Sequence, residues 1–312
     1  MKVCFIGLGS IGKRHLNNLV KVAEQREINL TINALRHSQS TIYNNVDALI
    51  EETFLSFEAL PDDYDIIFIT NPTSLHADTL SGVSKKSKHF FIEKPVFDKN
   101  IADYEHHVFT TDQVIYIACP LRHTTVYKYL KETINSSEIF SVRAMCSSYL
   151  PEWRKSVDYR NIYSSHKDQG GGVSLDLIHE WDYLIDLFGF PKELINITGK
   201  FSSLEIDSDD LSIYVGKYSN KIIELHLDYF GRTPRREIEL YSDNYTIHAD
   251  FIKSIINFFP DTEKGIRLEK EDSYINEMNY FLDIIQKKYK NLNSISHAMK
   301  VLNITLGLLN NE

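Results

Sequence analysis

The sequence is poor in cysteine and has no long apolar run. Cys4, Cys119 and Cys146 are the only cysteines among 312 residues, and their scattered positions match neither a CxxC pair nor a zinc-ligand spacing. We therefore expect buried, reduced thiols and no metal centre. No apolar stretch approaches the roughly 20 residues that a membrane-spanning helix requires. No charged and apolar leader precedes the first strand-like residues, so we predict a cytoplasmic protein that does not associate with membranes.

A basic block is also missing. The 43 aspartates and glutamates outnumber the 34 lysines and arginines, which gives a formal net charge of -9. Nucleic-acid-binding domains are typically basic along one face, so we expect no nucleic-acid partner. A small anionic ligand remains compatible with this composition, because a few local cations are enough to bind it.

The first third of the chain alternates short apolar runs with helix-like segments. Residues 11–26 and 74–87 have helical periodicity, and the order strand, helix, strand predicts a right-handed, doubly wound parallel sheet. We assign residues 1–121 to this α/β domain. The apolar runs, rich in β-branched and aromatic residues as buried parallel strands are, comprise residues 3–6, 30–35, 66–70, 90–92 and 114–118.

The pattern changes in the second part of the chain. Residues 173–188 and 272–309 have helical periodicity, whereas residues 211–215 and 223–229 alternate apolar and polar side chains. Strict alternation is typical of antiparallel strands with one face on a core. We therefore predict that residues 122–312 form an α+β domain with an open, mainly antiparallel sheet, and that the C-terminal helix can pack back on the first domain.

Three glycines follow the first strand in the stretch GLGSIGKRH, residues 7–15. In a GxGxxG motif the first glycine permits a tight turn, the second lets the backbone approach a pyrophosphate, and the third allows close packing of helix on strand. Gly7, Gly9 and Gly12 have this spacing, and Ser10 and Ile11 would open a helix whose N-terminus attracts phosphate. The motif predicts a dinucleotide site, with a structural glycine turn in another α/β fold as the alternative.

The end of the second strand indicates which dinucleotide to expect. An Asp or Glu there would bind the ribose hydroxyls of NAD, but the stretch LTINALRHS, residues 30–38, contains no acid. Arg36 lies near that position, and a guanidinium pairs well with a 2′-phosphate. Ser38 can donate to the same phosphate. We therefore predict NADP(H), with NAD(H) as the second choice; a solvated arginine is the alternative.

Three later motifs complete a pattern. TNP at residues 70–72 ends one predicted strand, and EKP at residues 93–95 ends the next. GGG at residues 170–172 leads into Asp176 and His179. Together with the glycine loop, these motifs resemble the Gfo/Idh/MocA oxidoreductase family, and the resemblance covers nearly the whole chain.

The resemblance implies an N-terminal Rossmann domain and a homodimer or homotetramer formed through the open sheet. It places Glu93 and Lys94 beside the nicotinamide and its ribose, with Lys94 reaching the substrate hydroxyl. Asp176 and His179 would face the substrate across the cleft. Motif and resemblance together give these cofactor-binding residues: Gly7, Gly9, Ser10, Ile11, Gly12, Arg36, Ser38, Thr70, Asn71, Pro72, His76, Glu93 and Lys94.

The predicted catalytic residues, Lys94, Asp176 and His179, suit the oxidation of an alcohol, which loses a hydride from carbon and a proton from oxygen. Lys94 or His179 can accept that proton or return it in the reverse direction, and Asp176 can orient the imidazole. The family usually spaces its Asp and His four residues apart, whereas here they are three apart. Both spacings keep two side chains on one helical face, which Glu180 would share. The alternatives are a surface lysine and a packed core histidine.

Residues 149–163 combine flat aromatic faces with charged groups, a composition suited to binding sugars. Arg122 and the neighbouring His123 lie where the family places a substrate-contacting cation. The cations indicate an anionic substrate such as a nucleotide-sugar or a sugar acid, and a solvated connecting loop is the alternative. The predicted substrate-binding residues are Arg122, Trp153, Arg154, Tyr159, Arg160, Asp176 and His179.

The sequence thus predicts an NAD(P)-dependent oxidoreductase that transfers a hydride to or from a hydroxyl or keto carbon of a sugar, sugar acid or nucleotide-sugar. Its resemblance to family members of bacterial surface-glycan synthesis points to that setting. Two alternatives keep the same fold: a catalytically silent NADP-binding sensor, and an internal redox step during hydrolysis or epimerisation. The proton-transfer candidates Lys94 and His179 favour the enzyme over the sensor.

Overall fold

A computed structural model describes residues 1–36, 46–101, 104, 112–260 and 265–309. The chain divides into two compact units, each built from two stretches of sequence. Unit one comprises Met1–Ala118 and Tyr274–Met299, and unit two comprises Cys119–Ser273 and Lys300–Glu312. No helix among the described residues is long and apolar enough to cross a membrane.

Within the described residues, six parallel strands form the sheet of unit one in the order β3-β2-β1-β4-β5-β6. This is the order of the doubly wound dinucleotide-binding fold. The order reverses between β1 and β4, so the connections leave these two strands in opposite directions and open a crevice at their carboxyl ends. The strands are β1 (Lys2–Ile6), β2 (Thr31–Leu35), β3 (Glu52–Phe54), β4 (Tyr64–Ile69), β5 (Ser87–Ile92) and β6 (Val114–Ile117).

Apolar side chains on both faces hold this sheet between helices. Helix α1 (Ser10–Gln25) buries Leu16, Leu19 and other residues at helical spacing on one side. Helix α2 (His76–Val83) follows β4. A later helix (Ser273–Ile285) places Phe281 edge-on against Phe91 of the sheet, with ring centroids 5.2 Å apart.

Two sequence predictions for unit one need correction. The helix predicted over residues 74–87 is only α2, because a 3₁₀ turn at Thr73–Leu75 precedes it and β5 already begins at Ser87. The edge strand β3 was missed because it is three residues long and mostly exposed, so it has no apolar run.

Unit two contains an eight-stranded sheet in the described part of the chain, in the order β14-β13-β12-β11-β7-β10-β9-β8. The pair β7–β10 is parallel and the other described pairs are antiparallel. The predicted fold class, a Rossmann domain followed by an α+β domain with a mainly antiparallel sheet, is confirmed. The strands are β7 (Ser141–Tyr149), β8 (Glu193–Gly199), β9 (Leu211–Lys217), β10 (Ile222–Asp228), β11 (Phe230–Tyr241), β12 (Thr246–Asp250), β13 (Ile255–Phe259) and β14 (Ile266–Arg267).

One face of this sheet is covered and the other is open. On the covered face Tyr214 is fully buried and meets the edge of Trp181, with ring centroids 5.5 Å apart. On the open face Ile195 and Ile197 of β8 are 64% and 57% exposed. The helices of unit two's first stretch are α3 (Thr125–Thr133), α4 (Val173–Asp176) and α5 (His179–Phe188); α6 (Ser273–Ile285) and α7 (Ile295–Thr305) close the chain.

Candidate active site

The glycine loop joins β1 to α1 in a turn that only glycine can make at two positions. Gly7 has φ +92°, and a Cβ there would lie 2.5 Å from the backbone nitrogen of Asn71. A Cβ at Gly12 would lie 2.2 Å from the carbonyl oxygen of Gly7. Both contacts are far inside van der Waals distance, so the turn and the packing of helix on strand explain these two glycines.

The N-terminus of α1 has the features of an anion site. Gly9 is its N-cap residue, and in the described part of the chain no side chain caps the first amides, those of Ser10, Ile11 and Gly12. Apart from its chain neighbours, no described residue has a heavy atom within 4 Å of the place where a Cβ at Gly9 would be. Uncapped amides, the helix dipole and open space at Gly9 together fit a pyrophosphate.

A pocket of about 510 Å³ lies at the carboxyl ends of β1, β2 and β4. This is the switch point of the sheet, where ligands of open α/β folds bind. Its volume falls within the roughly 300–1,000 Å³ typical of small-molecule sites. The pocket is lined by Ile6, Gly7, Leu8, Lys13, Leu35, Arg36, Asp47, Phe57, Asn71, Pro72, Leu75, Asp78 and Thr79.

The end of β4 supplies one wall of this pocket. The backbone amide of Thr70 donates to the carbonyl of Ile6 (2.9 Å), and its hydroxyl donates to the carbonyl of Gly7. The side-chain amide of Asn71 donates to the hydroxyl of Thr79 (2.7 Å), which leaves Asn71 Oδ1 buried without a hydrogen-bond partner among the described residues. A buried acceptor of this kind fits a ligand that donates hydrogen bonds.

His76 lies behind that wall. It is 1% exposed, its Nε2 faces the carbonyl oxygen of Asn71 (3.0 Å), and its Nδ1 faces that of Pro95 (3.0 Å). Burial lowers the pKa of His76, although these carbonyl oxygens oppose the shift. The ring thus lies between the segments that follow β4 and β5, and its predicted contact with the cofactor remains a prediction.

Arg36 is placed where the sequence put it, directly after β2 and in the pocket lining. Its guanidinium is not simply solvated, however. Nη2 forms an ion pair with Asp47, and Asp47 lines the same pocket. The two side chains are 17% and 9% exposed. Ser38, the other predicted phosphate ligand, lies outside the described residues.

Glu93 and Lys94 follow β5, the next strand of the sheet. The Glu93 carboxylate contacts Nε2 of His15, a fully buried residue of α1, and accepts a hydrogen bond from the backbone amide of Lys94 (3.1 Å). Burial alone would raise the pKa of Glu93, but the hydrogen bond and charge of His15 and the charge of Lys94 lower it below its ordinary value. The ionised Glu93 therefore ties the EKP motif to the glycine-loop helix.

In unit two, the glycine run at residues 170–172 leads directly into α4. Gly170 and Gly172 have φ +81° and +129°, and the Asp209 carboxylate accepts the backbone amide of Ser174 (2.9 Å). Asp176 ends this short helix, is 4% exposed, and accepts hydrogen bonds from the hydroxyls of Tyr163 (2.7 Å) and Tyr229. Two phenols thus fix the carboxylate's orientation.

The single helix predicted over residues 173–188 is wrong. Leu177 and Ile178 separate α4 from α5, so Asp176 is the last residue of one helix and His179 the first of the next. His179 is 8% exposed. Glu180 is fully buried, and burial raises its pKa, although the paired guanidinium of Arg236 (2.9 Å) lowers it in part. Asp176, His179 and Glu180 therefore do not lie on one continuous helix, and the predicted shared helical face is wrong.

The arginines predicted to bind substrate have protein partners. Arg122 is buried and binds Asp182 (2.7 Å) and Asp186 (3.0 Å) of α5. Arg160 is exposed and binds Asp158 (2.7 Å) and Glu205. The buried ion pairs give Arg122 a structural role, whereas the ion pairs of Arg160 lie on the surface. The predicted contacts of both arginines with substrate remain predictions.

The remaining residues predicted on the substrate side lie in or near the 3₁₀ turns that follow β7. Trp153 is 38% exposed and packs perpendicular to the Tyr229 ring, with ring centroids 5.2 Å apart. Its Nε1 donates to the Ser148 hydroxyl (2.9 Å). Arg154 is exposed. The hydroxyl of Tyr159 accepts the backbone amide of Glu205 (3.2 Å). His123 lies earlier in the chain, in the 3₁₀ turn Pro120–His123 before α3. It is buried, and burial lowers its pKa to about 3, so it is neutral at neutral pH.

Sequence reasoning missed three kinds of residue. His15 was visible in GLGSIGKRH, but nothing local indicates that it meets Glu93 from another strand. Asp47 lies eleven residues after Arg36, too far along the chain to be connected with it. The phenols of Tyr163 and Tyr229 reach Asp176 from elements far apart in sequence.

Comparison with known proteins agrees with this geometry. Residues 1–114 match the model of the GFO_IDH_MocA oxidoreductase family, NAD-binding Rossmann fold. An uncharacterized oxidoreductase, YrbE, of Bacillus subtilis (strain 168) is 26% identical over 210 residues, 64% of this chain and 56% of that protein. The chain thus matches little more than half the length of this relative.

Two solved structures share the fold at low identity. UDP-N-acetylglucosamine 3-dehydrogenase from Acidithiobacillus ferrooxidans has a TM-score of 0.77 at 18% identity, over 99% of this chain and 96% of that one. Levoglucosan dehydrogenase, in complex with NADH and levoglucosan, has a TM-score of 0.81 at 15% identity, over 99% and 96%. Residues 1–114 therefore match the NAD-binding Rossmann domain of the Gfo/Idh/MocA oxidoreductase family, and nearly the whole chain shares the fold of these two solved structures.

Proposed function

We propose that this protein is an NAD(P)-dependent dehydrogenase or reductase that acts on a hydroxyl or keto carbon of a sugar, sugar acid or nucleotide-sugar. The observation that carries the proposal is the pocket at the switch point of unit one, bounded by an uncapped helix N-terminus and followed, one strand further, by Glu93 and Lys94. When bound, a nicotinamide dinucleotide supplies the hydride acceptor or donor.

The residues around the pocket fit that group. In the proposal, the amides of Ser10, Ile11 and Gly12 bind the pyrophosphate, and the unpartnered Oδ1 of Asn71 accepts a hydrogen bond from the ligand. Arg36 binds a 2′-phosphate, which makes NADP(H) the first choice and NAD(H) the second. The NADH of the levoglucosan dehydrogenase complex supports a nicotinamide cofactor in general.

Lys94 is the proposed proton-transfer residue. Its ammonium can donate a proton to a carbonyl oxygen, and its neutral amine can accept one from a hydroxyl. Glu93 is held ionised by His15, so its negative charge stays next to the lysine backbone and orients the EKP loop. Asp176, fixed by two phenols, and His179 are the proposed substrate-orienting residues.

We propose a sugar-like substrate for two reasons. Trp153 presents an apolar ring that is 38% exposed, and its indole is held in place by Ser148 and Tyr229, as a stacking platform for a sugar would be. The two solved structures of similar fold are named for UDP-N-acetylglucosamine and for levoglucosan. A place in surface-glycan synthesis belongs to the same proposal.

A panel of sugars and nucleotide-sugars, followed by nicotinamide absorbance with both dinucleotides, tests this function. Lys94→Met should reduce turnover at least about 100-fold while dinucleotide affinity stays within a few-fold of the wild type. Lys99→Met is the matched control, because Lys99 is an exposed lysine a few residues away. Dinucleotide binding without turnover of any substrate would favour the silent sensor, and full turnover by Lys94→Met would contradict the catalytic assignment.

We also propose that the open face of the unit-two sheet joins copies of the chain into a homodimer or homotetramer. Ile195 and Ile197 of β8 pair with Val215 and Ile213 of β9, so four apolar side chains share this face. Arg143 and Glu224 lie on the same face beside them. An apolar strip next to charges of both signs is a surface that a second copy can complement.

A further inference from the structure

Arg36, the residue proposed to bind a 2′-phosphate, already has a counter-ion in the protein, the carboxylate of Asp47. Asp47 begins the 3₁₀ turn Asp47–Leu49, and its carboxylate meets Arg36 Nη2. Both side chains are largely withdrawn from solvent, at 17% and 9% exposed, so salt screens their interaction less than that of a surface pair. Arg36 Nε is buried and has no hydrogen-bond partner among the described residues.

Asp47 is not hidden behind Arg36. Both residues line the same pocket, together with Gly7 and Leu8 of the glycine loop. A ligand group that reaches the guanidinium must therefore also meet the carboxylate. The sequence has no acid at the end of β2, yet the fold brings one to that end from eleven residues further along the chain.

Arg36 and Asp47 favour different dinucleotides: Arg36 favours one with a 2′-phosphate, and Asp47 favours one with a free 2′-hydroxyl. A 2′-phosphate gains from Arg36 but is repelled by Asp47, or must displace it from the arginine. A free 2′-hydroxyl can donate a hydrogen bond to Asp47, which is the interaction that an acid at a strand end provides for NAD.

We propose that Asp47 is a nucleotide-selectivity residue, which weakens binding of a dinucleotide carrying a 2′-phosphate and supports one carrying a free 2′-hydroxyl. This inference rests on the proposed function, because it assumes that the pocket holds the adenosine end of a dinucleotide. In this proposal, Asp47 allows the site to bind NAD(H) although Arg36 is present. The choice between the two dinucleotides is then set by a pair of charges instead of by Arg36 alone.

The test measures dissociation constants of NADH and NADPH by equilibrium titration, with nicotinamide fluorescence as the readout. Asp47→Asn keeps the size of the side chain and removes its charge. We expect the ratio Kd(NADH)/Kd(NADPH) to rise at least about tenfold in this variant, as the coupling between neighbouring charges predicts. Arg36→Gln should shift the ratio in the opposite direction.

Asp78→Asn is the matched control. Asp78 also lines the pocket but is exposed, so removing its charge should change the ratio less than about threefold. Thermal melting of each variant confirms that it is folded, and Asp47→Ser replaces Asp47→Asn if the latter does not fold.

A ratio that is unchanged in the folded Asp47 variant, or that changes as much in Asp78→Asn, would overturn the inference while leaving the proposed function in place. Failure of the wild type to bind either dinucleotide would overturn the proposed function, and the inference with it.

Discussion

The contact between His15 and Glu93 leads to a stability prediction with a defined pH dependence. His15 is fully buried and Glu93 is 7% exposed, so their interaction is shielded from solvent. His15→Leu removes the hydrogen-bond donor and replaces the imidazole with an apolar side chain of similar size. Breaking a buried pair by removing one partner costs about 3–5 kcal/mol. We therefore expect His15→Leu to lower the free energy of unfolding by about 3 kcal/mol at neutral pH.

The sign of the pH dependence follows from Glu93. Its pKa is lowered in the folded protein, so its stabilising contribution is present above the unfolded pKa and is lost as pH falls through the folded pKa. In His15→Leu, burial remains while the hydrogen bond and charge of His15 are gone, so the pKa of Glu93 rises. Protonation then relieves the unpaired carboxylate, and the difference between the wild type and the variant shrinks towards about pH 5.

Urea unfolding followed by far-ultraviolet circular dichroism measures this difference at both pH values. His15→Gln is the matched variant, because its side-chain amide can donate to Glu93 where the ring nitrogen did, and it should recover about half of the lost stability. If His15→Leu and His15→Gln unfold at the same urea concentration at both pH values, the argument for a stabilising bond between His15 and Glu93 is refuted.

Two further predictions concern unit two. Arg122→Met should lower the free energy of unfolding by about 3–5 kcal/mol, because Asp182 loses its buried partner. Arg160→Met removes only an exposed ion pair and should leave the urea midpoint nearly unchanged. Equal effects of the two substitutions would contradict the structural role of Arg122. Ile197→Lys should reduce the mass measured by light scattering to that of a smaller assembly, whereas Tyr289→Lys, at an equally exposed position of unit one, should not. An unchanged mass in Ile197→Lys would exclude the open sheet face as the contact surface.

Features that depend on neighbouring residues in sequence were predictable. The glycine loop is dictated locally, because Gly7 needs a positive φ and Gly12 needs the space beside the Gly7 carbonyl. The parallel strands of unit one were visible as apolar runs, since both of their faces are buried. The alternation of these strands with helices then predicted a doubly wound parallel sheet.

Features that depend on distant partners were not predictable. The break between α4 and α5 interrupts a segment whose composition is helical throughout, so periodicity alone could not place it. From the sequence, Arg122 was interpreted as a substrate-binding cation, but in the structure α5 places Asp182 beside it. In the same way, Arg36 alone favours NADP(H), whereas the fold adds Asp47 and changes the charge that a ligand meets.

The proposed function depends on a dinucleotide that binds at the N-terminus of α1, and we test this binding by titrating Gly9→Asp with NADPH and NADH. Gly9 has open space where a Cβ would be and is an uncapped N-cap residue, so an aspartate there should be accepted by the fold and should stabilise α1 by a few tenths of a kcal/mol. The same carboxylate would occupy the proposed pyrophosphate site. We expect saturable binding by the wild type, a smaller loss in the uncharged Gly9→Ser control, and a loss of affinity of at least about 100-fold in a fully folded Gly9→Asp protein. Absence of binding by the wild type, or equal affinity in Gly9→Asp, would contradict the account.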